Sequence, residues 1–216
     1  MSIKSEALRY LGHSGQSIPE DQMQLVDAVI EETIAVAEPK TVHRIFSIER
    51  RDDSIYIPAE IDLNTKDIKH LLAQSRDVML IGATLGLSID RKLRYYSKTD
   101  ATRMIIMDAV ASALIEDVCD TLQASLPFEH YTFRFSPGYG DVPLTMQKDL
   151  LRVLEAGKRI GLSLTSSLLM VPQKSITGIV GIGEKDMQLK RSCDGCKLMD
   201  HCEYRKKGTV CYKITS

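Results

Sequence analysis

Tryptophan is missing from this 216-residue chain, and aromatic residues make up only 6% of it. The net charge is also small, −1 at pH 7, because 28 basic residues stand against 29 acidic ones. A balance of this kind gives no general attraction to nucleic acid or to an anionic membrane surface. Any charged partner must therefore be recognised locally, and neither a nucleic acid nor a membrane is an expected partner.

Long apolar runs are missing as well. No segment approaches the roughly 20 consecutive apolar residues that a membrane-spanning helix needs. The start of the chain mixes Lys4, Glu6 and Arg9 with apolar residues, and it lacks the apolar run and cleavage site of a secretory signal. These absences predict a cytoplasmic protein.

Cysteine is scarce until the end of the chain, where four of the five cysteines crowd together. These four are Cys193, Cys196, Cys202 and Cys211. Their close spacing would let the thiolates converge on one metal centre. Three interpretations remain open: an iron–sulfur cluster, a structural zinc site, or free and redox-active thiols. His201 could replace one sulfur ligand in either metal site.

Hydrophobic periodicity predicts helices alternating with short strands. The predicted helices cover Pro19–Ala37, Thr65–Gln74, Ala101–Leu122 and Thr145–Lys158. The predicted strands are Val42–Ile48, Ser54–Ile57, Val78–Ile81, Tyr131–Phe135, Leu164–Met170 and Ser175–Ile182. Paired strands with helices grouped between them predict an α+β fold, a twisted and largely antiparallel sheet with flanking helices. A short Cys-rich C-terminal tail follows it.

Two features within these elements have both a functional and a structural interpretation. The turn Gly82–Gly86 could cradle a phosphate, but it lacks the dinucleotide fingerprint and the P-loop lysine, so close backbone packing is the favoured explanation. Glu116 is a carboxylate on a predicted core-facing stripe, which makes it either paired, functional or an acid at the edge of the stripe. The other members of that stripe are Ile105, Ala109, Ser112 and Cys119.

The most informative segment is the loop from Arg134 to Pro143, which holds two glycines and two prolines. These residues fix an irregular backbone that can expose its amides to a ligand. The planar guanidinium of Arg134 can bind a carboxylate, and Tyr139 offers a ring face and a hydroxyl. Such groups suit a zwitterionic nucleoside like S-adenosylmethionine. The structural alternative is a surface arginine beside a turn.

This loop resembles the Arg-x-x-x-Gly-Tyr motif of the activation domain of cobalamin-dependent methionine synthase. Leu164–Ser167 and Met170–Gly178 are similar to the second characteristic stretch of that family, and the resemblance covers about residues 5–185. Ile179 and Val180 stand where full-length synthases carry an aromatic pair, and the aspartate those enzymes contribute near the domain start has no clear match. The resemblance therefore implies the family's site with fewer ligand contacts.

Carried over by position, the resemblance assigns a cofactor-binding role to five residues. Arg134 holds the methionyl carboxylate of S-adenosylmethionine, while Ser136, Gly138 and Tyr139 receive the rest of the nucleoside. Glu116 matches the helix glutamate that contacts the amino group of the ligand. The resemblance also divides the chain into an activation-like domain, residues 1–188, and a candidate metal-binding tail, residues 189–216.

The function implied by the resemblance is support of methionine biosynthesis as a component of a cobalamin-dependent methyltransferase. The chain would present S-adenosylmethionine for reductive methylation of cob(II)alamin on a partner methionine synthase, with a flavodoxin- or ferredoxin-like electron donor. No catalytic residue is assigned to the chain, because the nucleophile is the cobalt held by the partner. One alternative is an iron–sulfur electron-transfer adaptor for another corrinoid methyltransferase. Another is an interaction scaffold that binds neither ligand nor corrinoid protein.

Overall fold

The structure of the chain, a computed structural model, describes residues 2–187, 199–206 and 210. Cys193, Cys196 and Cys211 lie outside these described residues. The predicted metal centre and the predicted domain boundary after residue 188 therefore stay predictions.

Helices and short strands alternate along the described part of the chain. The helices are α1 (Ile3–Tyr10), α2 (Glu20–Val36), α3 (Lys66–Leu72), α4 (Leu87–Thr99), α5 (Ala101–Ser125), α6 (Met146–Leu154), α7 (Ala156–Ile160) and α8 (Glu203–Lys206). The strands are β1 (Lys40–Ser47), β2 (Glu49–Arg51), β3 (Ser54–Tyr56), β4 (Asp77–Thr84), β5 (His130–Tyr131), β6 (Ser163–Leu164), β7 (Met170–Val171) and β8 (Ser175–Gly183). None of the helices in the described ranges is long and apolar enough to cross a membrane.

The main sheet has four strands in the order β1-β4-β8-β5. The amides of Glu38 and Ile48, at the two ends of β1, donate to the carbonyls of Leu85 and Arg76 at opposite ends of β4, over 2.8 and 3.0 Å. These bonds make β1 antiparallel to β4, and β8 is antiparallel to β5. Two further pairs, β2 with β3 and β6 with β7, are also antiparallel. The predicted α+β fold with a largely antiparallel sheet is therefore confirmed.

The chain divides into two compact units, each assembled from separated segments. Unit 1 comprises residues 1–43, 81–127 and 154–176, and unit 2 comprises residues 44–80, 128–153 and 177–216. Within unit 1, helices α1, α2 and α4 all pack against the long helix α5. The apolar core between these helices includes Ala7, Val29, Met107 and Val110, all fully buried. Within unit 2, the fully buried side chains include Ile68, Leu71 and Leu72 of α3 and Leu150 of α6.

Three of the predicted elements are wrong in extent. The predicted strand Tyr131–Phe135 is reduced to the two residues of β5 and an isolated bridge at Phe135. The other two are interrupted at residues with positive φ. The predicted strand Leu164–Met170 is two short paired strands, β6 and β7, because Leu168 adopts a left-handed conformation (φ 65°) within a turn. The predicted helix Thr145–Lys158 is interrupted at Glu155 (φ 51°), which separates α6 from α7. In both of these cases a single residue with positive φ ends the regular element.

The Gly82–Gly86 turn serves close packing. A Cβ atom at Gly82 would lie 3.3 Å from Val42 Cγ1 and 3.4 Å from Leu154 Cδ1. Gly86 has φ 82°, and a Cβ there would approach the Cβ of Glu38 to 3.0 Å. The glycines let neighbouring backbone and side chains approach, so the favoured interpretation of this turn is confirmed.

Candidate functional site

The loop after β5 has a backbone fixed by hydrogen bonds within the loop. The amide of Gly138 donates to the carbonyl of Val142 over 2.9 Å, and the amide of Val142 donates to that of Tyr139 over 3.0 Å. The amide of Tyr139 donates to the backbone carbonyl of Ser136 over 3.3 Å. Gly138 (φ 93°) and Gly140 (φ 52°) occupy conformations that favour glycine. The loop conformation therefore follows from its own sequence.

A reciprocal clasp joins this loop to the start of α3. The carboxylate of Asp141 accepts from the amides of Lys66 (2.7 Å) and Asp67 (3.2 Å), and the carboxylate of Asp67 accepts from the amide of Asp141 (2.9 Å). Desolvation raises the pKa of the Asp141 carboxyl, but the hydrogen bonds from the backbones of Asp67 and Lys66 outweigh it, so the pKa lies below its ordinary value. A carboxylate is favoured here because the first amides of a helix lack partners within the helix.

The clasp and the internal turn use most of the loop amides. The amides of Gly138, Tyr139, Asp141 and Val142 all donate to acceptors within unit 2. These four amides already have acceptors within the protein, and the expectation that loop amides serve a ligand stays a prediction. What the loop offers instead is its side chains.

The predicted binding residues of the loop flank one antiparallel bridge. Phe135 and Ile179 exchange two backbone hydrogen bonds, of 3.0 and 2.8 Å, which fix the positions of Arg134 and Ser136 on either side. Arg134 and Ser136 are half-buried, whereas the ring of Tyr139 is 67% exposed. Unit 2 thus places the backbone of a half-buried arginine and an exposed aromatic ring on one short segment.

Glu116, the fifth predicted residue, lies in unit 1 on α5 and lines a cavity of about 560 Å³. The polar and aromatic groups of that cavity include Tyr10, Asp108, Ser112, Glu116 and Lys174. The predicted core-facing stripe of α5 is wrong at Ile105, which is 55% exposed and lines this cavity together with Ala109, Ser112 and Glu116. The core of unit 1 receives the neighbouring positions Ile106, Met107, Val110 and Ala113 instead.

Lys174 is a charged group of this cavity that is held by three contacts. Its ammonium group contacts Asp108 Oδ1 (2.8 Å), the Asp108 carbonyl (3.1 Å) and Ser112 Oγ (2.9 Å). The adjacent backbone is fixed as well: the Gln173 amide donates to Asp90 over 2.9 Å, and the Lys174 carbonyl accepts from the Leu85 amide over 2.9 Å. The segment before β8 therefore forms a stable wall of the cavity.

Asp108 and Lys174 did not stand out in the sequence as site residues. Asp108, Ser112 and Glu116 are spaced by four residues, which places them on one face of α5. That spacing was the available signal for a polar wall. Lys174 lies within the second family-like stretch, but its contact with α5 joins residues more than sixty positions apart and follows only from the tertiary structure.

The predicted metal ligands cannot be brought together from the described residues. Cys202 and His201 are described, whereas Cys193, Cys196 and Cys211 are not. Where the structure describes side chains, no cluster of three or more His, Cys, Asp or Glu residues is arranged to hold a metal ion. Three of the predicted ligands lie outside the described residues, so the metal site stays a prediction.

Comparisons with known proteins connect the loop to one family. Residues 126–188 match the family model of the vitamin B12 dependent methionine synthase activation domain. This segment is less than a third of the chain; it contains Arg134, Ser136, Gly138 and Tyr139 but not Glu116 or the cysteines. No curated protein sequence gives a significant match to the chain.

A solved structure extends the likeness to almost the whole chain. It is a crystal structure of the MetH reactivation domain bound to AdoHcy, with 16% sequence identity and a TM-score of 0.63. The match covers 97% of this chain and 84% of that chain. The predicted resemblance is therefore confirmed: the chain has the fold of a methionine synthase reactivation domain, and its residues 126–188 match the activation-domain family of vitamin B12 dependent methionine synthase.

Proposed function

We propose that this chain binds S-adenosylmethionine and presents it for reductive methylation of cob(II)alamin on a partner cobalamin-dependent methionine synthase. The observation that carries the proposal is the fixed loop with Arg134 and Tyr139, which lies inside the segment that matches the activation-domain family. The related MetH reactivation domain, bound to AdoHcy, supports a ligand of the same chemical type.

The donor groups of the chain fit this ligand. The half-buried Arg134 guanidinium can form a bidentate pair with the methionyl carboxylate. The exposed ring of Tyr139 can stack on the nucleoside, and the carboxylate of Glu116 can accept from the ligand amino group. Because most amides of the loop are already bonded, side chains would provide the contacts.

The chemistry explains why the chain needs no nucleophile of its own. Cobalamin held by the partner supplies, once reduced by one electron, the nucleophile that takes the methyl group. The sulfonium sulfur of S-adenosylmethionine keeps the electron pair of the broken bond and leaves as the neutral thioether. A flavodoxin- or ferredoxin-like protein would provide the electron. The task of the chain is to hold the donor in one orientation, and Arg134 and Tyr139 of unit 2 are the residues proposed for it.

The proposal is tested by isothermal titration of the purified chain with S-adenosylmethionine, alone and mixed with a cobalamin-loaded methionine synthase. We expect Arg134→Ala to raise the Kd about tenfold to a hundredfold, because a hydrogen bond to a charged group contributes about 1.5–3 kcal/mol. Arg134→Lys should recover part of the loss, since it keeps the charge without the planar fork.

Arg51→Ala is the matched control. Arg51 is an exposed arginine of unit 2 that pairs with Glu49, so its removal should leave the Kd unchanged. Absence of binding by the unmodified chain, both alone and with the loaded synthase, contradicts the proposal. Equal losses in the Arg51 and Arg134 variants contradict the assignment of Arg134. No observation among the described residues favours the electron-transfer adaptor over this function.

A further inference from the structure

The cavity of unit 1 contains an ion pair whose net charge is close to zero. Of the described residues that line the cavity, Lys174 is the only cationic one, and its side chain is 15% exposed. Its partner Asp108 is 54% exposed. Ser112 joins the pair by accepting from Lys174 and donating to the Asp108 carbonyl. The pair has one fixed geometry because each donor of the ammonium group meets an acceptor on α5.

This pair lies close to Glu116 along the helix. Ser112, which Lys174 contacts, is one helical turn before Glu116, a rise of about 6 Å along the axis. If the amino group of the ligand binds Glu116, the sulfur atom, which a short carbon chain joins to that group, can lie along the same wall as the pair. A change of charge at Lys174 or Asp108 would therefore act on the sulfur.

We propose that Lys174 is a specificity-determining residue that, by pairing with Asp108, sets the preference of the site between S-adenosylmethionine and its product S-adenosylhomocysteine. This inference rests on the proposed function. The two ligands differ by a methyl group and by the positive charge of the sulfonium. The Lys174 charge disfavours the sulfonium and the Asp108 charge favours it. Their pairing nearly cancels the two charges, so the pair itself contributes little discrimination by charge.

The test measures the ratio of the two dissociation constants, that of S-adenosylhomocysteine over that of S-adenosylmethionine, by titration of the full chain. Lys174→Met leaves the Asp108 carboxylate without its cation and should raise the ratio about threefold, as expected for one unit charge at roughly 8 Å in a partly hydrated site. Asp108→Asn leaves the ammonium charge uncompensated and should lower the ratio by a similar factor. Added salt should shrink both changes.

Two further variants separate charge from structure. The double variant with Lys174→Met and Asp108→Asn should return the ratio close to that of the unmodified chain, even where both affinities fall. Lys174→Arg keeps the charge and should leave the ratio unchanged. A purely structural role would weaken both ligands equally, without the opposite signs expected for the two single variants.

Failure of the inference and failure of the proposed function give different results. An unmodified chain that binds neither ligand overturns the proposed function and this inference with it. An unmodified chain that binds both, with one constant ratio across all four variants, overturns the role of Lys174 alone. Circular dichroism of each variant identifies any that has not folded. If Lys174→Met is one of these, the two single variants Lys174→Arg and Asp108→Asn provide the charge comparison.

Discussion

Gly140 shows how strongly one residue determines the conformation of the loop. Its backbone is left-handed (φ 52°), and a Cβ atom there would overlap the Asp67 carboxylate, which accepts from the Asp141 amide. We expect Gly140→Ala to lower the free energy of unfolding by about 2 kcal/mol or more, through backbone strain and loss of the clasp. Urea unfolding and titration with S-adenosylmethionine should show lower stability and weaker binding together.

Gly161→Ala provides the comparison for this prediction. Gly161 also has a left-handed backbone (φ 69°), but no atom lies within 4 Å of a Cβ built there. Its replacement should cost only about 1 kcal/mol, and it should leave ligand binding intact. Equal costs at the two glycines, or tight binding by the Gly140 variant, would show that the clasp does not organise the loop.

At the residue scale, the sequence predicted the backbone of the loop better than it predicted which side chains line the cavity. The irregular backbone at Gly138 and Gly140 could be predicted from the sequence because it depends on local conformation, whereas the binding role of Arg134 stays a prediction. Ile105 could not be placed correctly, because helical periodicity does not reveal whether an apolar position meets the core or an open cavity. Ile179, where the family carries an aromatic residue, is fully buried and so offers no ring to a ligand.

Among the helices of unit 1, Glu32 of α2 connects three elements. Its carboxylate accepts from Lys92 Nζ (2.7 Å) and from the Tyr96 hydroxyl (2.8 Å) on α4, and from Arg103 (3.5 Å) on α5. Desolvation raises the pKa of Glu32, but the bonds from Lys92 and Tyr96 and the nearby cations outweigh it, so the pKa is lowered. This stabilisation is present above the ordinary glutamate pKa and is lost as the pH falls through the lowered value.

We expect Glu32→Gln to lower the free energy of unfolding at pH 7 by about 1–2 kcal/mol, because it weakens a hydrogen-bonded charge network. The variant should also lose less stability than the unmodified chain as the pH falls below about 4. Urea unfolding over a pH series gives both quantities. Glu31→Gln, at an exposed position of the same helix, should match the unmodified chain, and an equal effect at both positions would contradict the role of the network.

The predicted bounds of the helices were most accurate where the residue before the helix marks its start. Helix α2 begins after Pro19 and helix α5 follows the Asp100 cap, and both are close to their predicted bounds. The break at Glu155, where φ is 51°, had no such signal, because glutamate favours helix. The short β6–β7 pair was merged into one strand because its turn contains no glycine or proline.

For the molecule as a whole, the cysteine tail is the largest untested prediction. We expect the full-length chain, purified without oxygen, to contain a metal centre, with iron and sulfide as the expected content and zinc as the alternative. Cys193→Ser with Cys196→Ser should remove most of the metal, because thiolates are the ligands of both types of site. Elemental and sulfide analysis, with absorption spectra, measures the change.

Cys119→Ser is the matched control, since Cys119 is buried in unit 1 and outside the tail. The tail variant should keep the unmodified Kd for S-adenosylmethionine, because the proposed binding residues lie elsewhere. A metal content that the tail variant does not change would show that these cysteines are not ligands. A large fall in ligand affinity would instead connect the tail to the nucleoside site.

The division into two units was the property least accessible from the sequence. Each unit draws on three separated segments, and the predicted binding residues fall in both: Glu116 in unit 1 and Arg134 to Tyr139 in unit 2. Periodicity and turn signals describe neighbours along the chain, so they carry no information on which distant segments cluster. The fold class, by contrast, follows from the order and type of elements, and it was predicted correctly.

The ordered turn at Gly138 to Val142 also has a kinetic consequence. Because its backbone is already held by internal bonds, a ligand would need to immobilise little more than the exposed ring of Tyr139 on arrival. Encounter, rather than rearrangement of the loop, should then govern the association rate. Differences in affinity among proteins sharing this turn would consequently arise from how long each complex survives.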